Sequence, residues 1–196
     1  MADAALCRDR YGLFPPDMFK LITCSMCYSY LFRLKGHLTT NLTSPTELVP
    51  KTPQGPYPQG TCIKADVDNN DAVNSVCSTL SSEDCTRWTR CCEAAVRCCD
   101  RQLNEPPRNT TELFCPRTWD GFGCFGDTDA SQKVYIHCPL YVEYASPWGN
   151  VSVYSIAVRR VQGNKFSVLK FKIGIIKQEF LNTEYDEAVH KVRIFE

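Results

Sequence analysis

The chain has 196 residues, with 22 basic and 22 acidic side chains that cancel, 13 cysteines and a sequence pI near 6.8. A balanced charge excludes the basic footprint that nucleic acid or an anionic membrane surface demands, so no nucleic-acid partner is expected. No apolar run reaches the 18 or more residues of a membrane-spanning helix, and cysteine density with three N-x-Thr/Ser sequons points to an extracellular, disulfide-stapled domain with a small core.

Taken in chain order, residues 1–34 read as an N-terminal flank. Within it Leu21 to Phe32 (LITCSMCYSYLF) has the length of a signal-peptide hydrophobic region but no small-residue cleavage site. Cys24 and Cys27 form a CxxC that lacks the βαβ context of a redox centre and a second ligand pair for zinc. Residues 35–78 read as a linker. Its stretch from Thr39 to Gly60 carries five prolines and no hydrophobic period, with a sequon at Asn41.

A helix is predicted over residues 82–103. Ser81 and Asp84 supply the cap, Leu80 and Cys85 a hydrophobic staple, and Asn104-Glu105-Pro106-Pro107 the stop. Its apolar face comprises Cys85, Trp88, Cys91, Cys92, Ala95, Cys98, Cys99 and Leu103. Arg87, Arg90, Glu93, Arg97, Asp100 and Arg101 fall on the opposite face. A second sequon follows at Asn109.

Two short β segments, Leu113 to Trp119 and Gly123 to Phe125, flank Asp120-Gly121, where glycine can take the positive φ of a tight turn. A further strand, Lys133 to His137, leads into Cys138-Pro139 and the aromatics Tyr141, Tyr144 and Trp148. In a strand His137 and Cys138 face opposite ways, so they cannot form a nucleophile and base. Residues 79–150 thus read as a small α+β domain, one helix on short antiparallel hairpins. After a third sequon at Asn150, residues 151–196 contain no cysteine and alternate apolar and polar residues as a further hairpin.

Cys99, Cys115, Cys124 and Cys138 stand at gaps of 16, 9 and 14 residues around CPRTWDGFGCF. The segment CCDRQLNEPPRNTTELFCPRTWDGFGCFGDTDASQKVYIHCPLYVEYASPWG, residues 98–149, resembles the N-terminal hormone-binding domain of class B, secretin-like, G-protein-coupled receptors. It carries that family's cysteine-ended helix, CxRTWDGxxC core and CPxY continuation. The resemblance implies six cysteines bridged first to third, second to fifth and fourth to sixth. Carried over, it pairs Cys99 with Cys124 and leaves Cys115 and Cys138 without their family partners, since the fifth and sixth cysteines are missing. The six earlier cysteines from Cys62 to Cys98 form an even set able to bridge the helix to the preceding segment. The loss of pattern after Gly149 is expected of a truncated isoform or a gene-model error.

For function, the resemblance implies a non-enzymatic module that binds a peptide hormone or neuropeptide. G-protein coupling and plasma-membrane placement come only through a full-length receptor. Trp119, Asp120, Gly121 and Pro139 are expected to be structural, and Trp88, Tyr141 and Tyr144 to line the ligand groove, although Trp88 and Tyr141 equally suit a core. No cofactor or metal is expected. A secreted peptide-binding decoy is the alternative, and a cysteine-rich redox or metal-binding protein the third reading.

Overall fold

In the computed structural model, residues 5–51, 62–109, 111, 113–130, 132–137 and 139–142 are described, together with the backbone of four strand segments after residue 150. The α+β class holds: three helices pack with short antiparallel strands. Strands β1 (Cys7–Arg8) and β2 (Leu13–Phe14) form a small hairpin. Asp9 closes it by accepting the amides of Tyr11 and Gly12 at 2.7 and 2.9 Å, an Asx-type turn.

Helix α1 (Pro16–Leu31) starts on a proline, whose missing amide costs nothing in a first turn. Its buried residues Phe19, Ile22, Thr23, Cys24, Ser25, Cys27 and Tyr28 surround most of the helix, so α1 is a core element. Strands β3 (Leu38–Thr40), β4 (Glu47–Pro50) and β5 (Ile63–Lys64) follow as a three-stranded antiparallel sheet. The residues expected to be flank and linker therefore contribute Phe19, Tyr28, Phe32, Leu38 and Leu48 to the same core as Trp88. The short polar side chains there satisfy backbone: the Thr40 amide donates to Ser29 Oγ at 2.9 Å, and the Ser25 hydroxyl to the Glu47 carbonyl at 3.3 Å.

Helix α2 (Asn70–Cys77) is capped by Asn69, whose side chain accepts from Asp71 and Ala72. Cys77–Cys85 then bridges the turn into α3 (Ser82–Asn104). As its sequence predicts, α3 begins with the Asp84 amide on Ser81 Oγ at 3.1 Å and ends before the Pro-Pro pair. The face differs at its end. Leu103 is 38% exposed, and Gln102 is buried, with Nε2 donating to the Arg8 carbonyl at 3.0 Å and Oε1 accepting the Arg8 amide at 2.6 Å. An amide can serve both backbone groups of a two-residue strand, which leucine cannot.

The hairpin region gives β6 (Phe114–Cys115) paired with β9 (Thr128–Asp129), and β7 (Thr118–Trp119) paired with β8 (Cys124–Phe125). Strand β10 (Lys133–His137) pairs with β11 (Val151–Val158), which pairs in turn with β14 (Lys170–Lys177). Strands β12 (Val161–Gln162) and β13 (Lys165–Phe166) pair antiparallel. No described helix is long and apolar enough to cross a membrane.

Four disulfides staple the described part: Cys7–Cys99, Cys27–Cys91, Cys77–Cys85 and Cys98–Cys124. Two of them reach from the N-terminal segment to α3, which is why that segment is not a detached flank. The pairing of Cys99 with Cys124 is corrected: Cys124 bonds Cys98, and Cys99 bonds Cys7. Successive residues on a helix point about 100° apart, so adjacent cysteines on α3 reach different layers. Cys98 faces the hairpin, and Cys99 faces β1.

Candidate functional site

The site is built on the stretch of α3 from Ala94 to Arg101, the β7–β8 hairpin and the segment after Cys138. Asp120 shapes the hairpin: its Oδ1 accepts the amides of Phe122 and Gly123 at 2.9 and 2.8 Å. Gly121 sits at φ +106°, and a Cβ there would lie 3.0 Å from the Tyr30 ring, so both backbone and space require glycine. The Cys98–Cys124 bridge, with Cα atoms 5.4 Å apart, fixes the return arm to α3.

Tyr141 fastens the third wall. Its hydroxyl donates to the Phe122 carbonyl at 2.5 Å, while Arg87 Nε donates to the Tyr141 carbonyl at 3.0 Å. A turn closed by the Val142 amide on the Pro139 carbonyl at 3.0 Å leaves Leu140 projecting, 73% exposed. Between these walls lies an open cleft of about 510 Å3. Trp119, Phe122, Ile136, Leu140 and Tyr141 line it with apolar surface, and Arg97 and Arg101 stand on the α3 side. That size and composition suit an apolar ligand face beside a polar or acidic one.

Arg117 holds the hairpin's root. Its guanidinium donates to Asp127 at 2.7 Å and to the carbonyls of Glu105 and Pro106 at 2.7 and 2.6 Å. The cation thereby meets the carbonyl-rich C-terminal end of α3, where positive charge is favoured. Nothing in sequence reasoning singled Arg117 out, although the CPRTWD segment contains it.

Asp120 is 1% exposed, and its second oxygen, like the Trp119 indole nitrogen, has no hydrogen-bond partner among the described residues. Burial pushes the Asp120 carboxyl above its ordinary value, against the lowering pull of the Phe122 and Gly123 amides. A raised native value means the neutral form is the better-folded one. Stability held at low pH is then lost as pH climbs from about 3.8, the ordinary carboxyl value, through the native value. Asp120→Asn keeps the acceptor oxygen and cannot ionise. Denaturant unfolding across this pH range is expected to show wild type losing stability relative to the variant as pH rises; a difference independent of pH would contradict the assignment.

The expected site residues separate cleanly. Trp119 and Pro139 line the cleft, Asp120 is buried within the hairpin turn, and Gly121 faces the Tyr30 ring instead. Tyr141 lines the cleft while 7% exposed. Trp88 does not line it: it is 0% exposed, and its indole N–H donates to the Cys24 carbonyl at 3.0 Å. Its α-helical position turns it toward α1 rather than the hairpin, so the ligand-contact expectation for Trp88 is corrected to a core role. Cys115 is buried on β6, and Tyr144, Cys138 and Asn150 lie outside the described residues. Asn109 is exposed. Asn41 Oδ1 accepts from Thr43 Oγ1 at 2.8 Å within its own sequon. Phe122, Leu140, Arg97 and Arg101 were not anticipated as cleft residues. The signal for Leu140 was present, as an apolar residue directly after the Cys138-Pro139 turn.

No protein-family model matches the chain. The rat calcitonin receptor is 40% identical over 62 residues, 32% of this chain and 12% of that receptor. The mouse glucagon-like peptide 1 receptor is 33% identical over 92 residues, 47% and 16% of the two chains. The chain's relatives are class B G-protein-coupled receptors. A nematode relative, the G-protein coupled receptor seb-2 of Caenorhabditis elegans, is 38% identical over 52 residues, 26% of this chain and 11% of its own. Each match spans less than a fifth of the relative's length. These relatives are receptors rather than enzymes, and they support a receptor-related, disulfide-bonded hormone-binding domain.

Proposed function

We propose that this chain is the peptide-hormone-binding extracellular part of a class B receptor, in fragmentary or truncated form, and that the cleft takes one face of an amphipathic peptide helix. The observation that carries this reading is the cleft itself: an apolar trough between α3 and the hairpin, with Leu140 projecting at the rim and two arginines opposite. An amphipathic helix lays its apolar face in such a trough, and its acidic side chains meet the guanidinium groups. Signalling through a heterotrimeric G protein at the plasma membrane is assigned to a full-length form. Glycans are assigned to Asn41, Asn109 and Asn150 on the extracellular side.

Fluorescence titration of the folded, oxidised chain with labelled calcitonin and with glucagon-like peptide 1 tests the reading. At least one peptide is expected to bind, and Leu140→Glu to weaken it about tenfold or more, the scale of losing one rim anchor. Because Leu140 is exposed, the melting temperature should not move. Absence of binding by both peptides to folded protein, or equal affinity in the Leu140→Glu variant, overturns it.

A further inference from the structure

Beyond the four bridges, two more cysteines meet in the core. Cys24 on α1 and Cys92 on α3 are each 0% exposed and free. Contacts between the two helices fix which residues face each other. The Arg87 guanidinium lies over the Phe32 ring at 5.6 Å, and Cys27 is bonded to Cys91 with Cα atoms 6.0 Å apart. The Trp88 indole reaches the Cys24 carbonyl. Cys92 lies one helical turn from Trp88 on the same face of α3, so it stands beside the Cys24 backbone that the Trp88 indole holds. The side chains of Cys24 and Cys92 are within hydrogen-bonding reach of each other.

We propose that Cys24 and Cys92 form a fifth disulfide in the mature oxidised protein, making a double clamp with Cys27–Cys91 between α1 and α3. A helix pair already held at disulfide distance by one bridge presents the neighbouring pair at an approach that a second bridge can use. Two thiols left reduced in an oxidising compartment would be exceptional for so cysteine-rich a domain.

The chemistry is dithiol oxidation by a small-molecule disulfide such as oxidised glutathione. One thiolate attacks the glutathione disulfide, forming a mixed disulfide and releasing one glutathione thiol. The second thiolate then attacks the protein sulfur of that mixed disulfide and releases the other. Two protein thiols lose two protons and two electrons, and one glutathione disulfide gains them. Burial raises the Cys92 thiol well above its ordinary value, so the folded core disfavours the thiolate.

The test uses the full chain refolded in a glutathione redox buffer, denatured and alkylated with iodoacetamide without reduction, then digested with trypsin. Residues 21–33 carry Cys24 and Cys27, and residues 91–97 carry Cys91 and Cys92. The proposal expects these peptides joined and free of alkyl groups. A joined pair carrying one alkyl group on Cys24 and one on Cys92 overturns it. The Cys24→Ala variant distinguishes this pairing from a crossed one. Its joined peptides should carry one alkyl group on Cys92, and an alkyl group on Cys91 instead overturns the proposal.

Discussion

Trp88→Ala is expected to lower the stability of the oxidised chain by about 4 kcal/mol, within the ~3–5 kcal/mol found for large aromatic truncations in cores. Trp88 is the largest fully buried side chain among the described residues, packed where α1 meets α3, and its indole holds the Cys24 carbonyl at 3.0 Å. Truncation leaves a cavity that two disulfide-tied helices cannot close by collapsing, because Cys27–Cys91 fixes their separation. Trp88→Phe refills most of that volume and loses only the hydrogen bond, so about 1–2 kcal/mol is expected. Denaturant unfolding with disulfides intact measures both. A cost below about 1 kcal/mol for the alanine variant, with peptide affinity lost instead, would return Trp88 to the ligand surface.

The second large effect concerns the two adjacent cysteines near the end of α3. Cys7–Cys99 closes a separation of 92 residues and Cys98–Cys124 one of 26. In the chain-entropy model these stabilise by about 4.5 and about 3.5 kcal/mol. Cys7→Ser/Cys99→Ser is therefore expected to be the less stable pair variant while keeping the hairpin on α3. Cys98→Ser/Cys124→Ser costs less overall but frees the β7–β8 arm, so peptide affinity should fall with it. The single Cys99→Ser variant gives the sharpest reading of connectivity. It should expose Cys7, not Cys124, to iodoacetamide, and labelling of Cys124 would restore the Cys99–Cys124 pairing.

That pairing illustrates what sequence alone conveys and what it leaves hidden. The limits of α3 were legible because capping is local: Ser81, Asp84 and the Pro-Pro stop act within a few residues of each helix end. The Asp120-Gly121 turn was legible for the same reason. Disulfide partners are not local. Cys98 and Cys99 differ by one step in sequence, and the choice between them depends on which layer each direction meets.

In the N-terminal region composition conceals the fold. Thr39 to Gly60 is rich in Thr and Pro, yet Leu38, Thr40, Leu48 and Val49 are buried on strands of three and four residues. Runs so short carry too little alternation to register as strands. The cleft was half legible. Tyr141 followed from the resemblance, whereas Phe122 and Leu140 occupy turn positions whose exposure only the fold decides. Arg117 is a case of the same kind, since its partners are carbonyls that no side-chain pattern announces.

The account rests on where a peptide sits. Hydrogen exchange of the oxidised chain with and without a saturating bound peptide reads that position directly. Added protection is expected on α3 from Ala94 to Arg101, at Phe122 to Phe125 and across Pro139 to Val142, with β3, β4 and α2 unchanged. Protection confined to the β3–β4 sheet or to the Tyr11–Tyr30 surface, with those three segments unaltered, would contradict it.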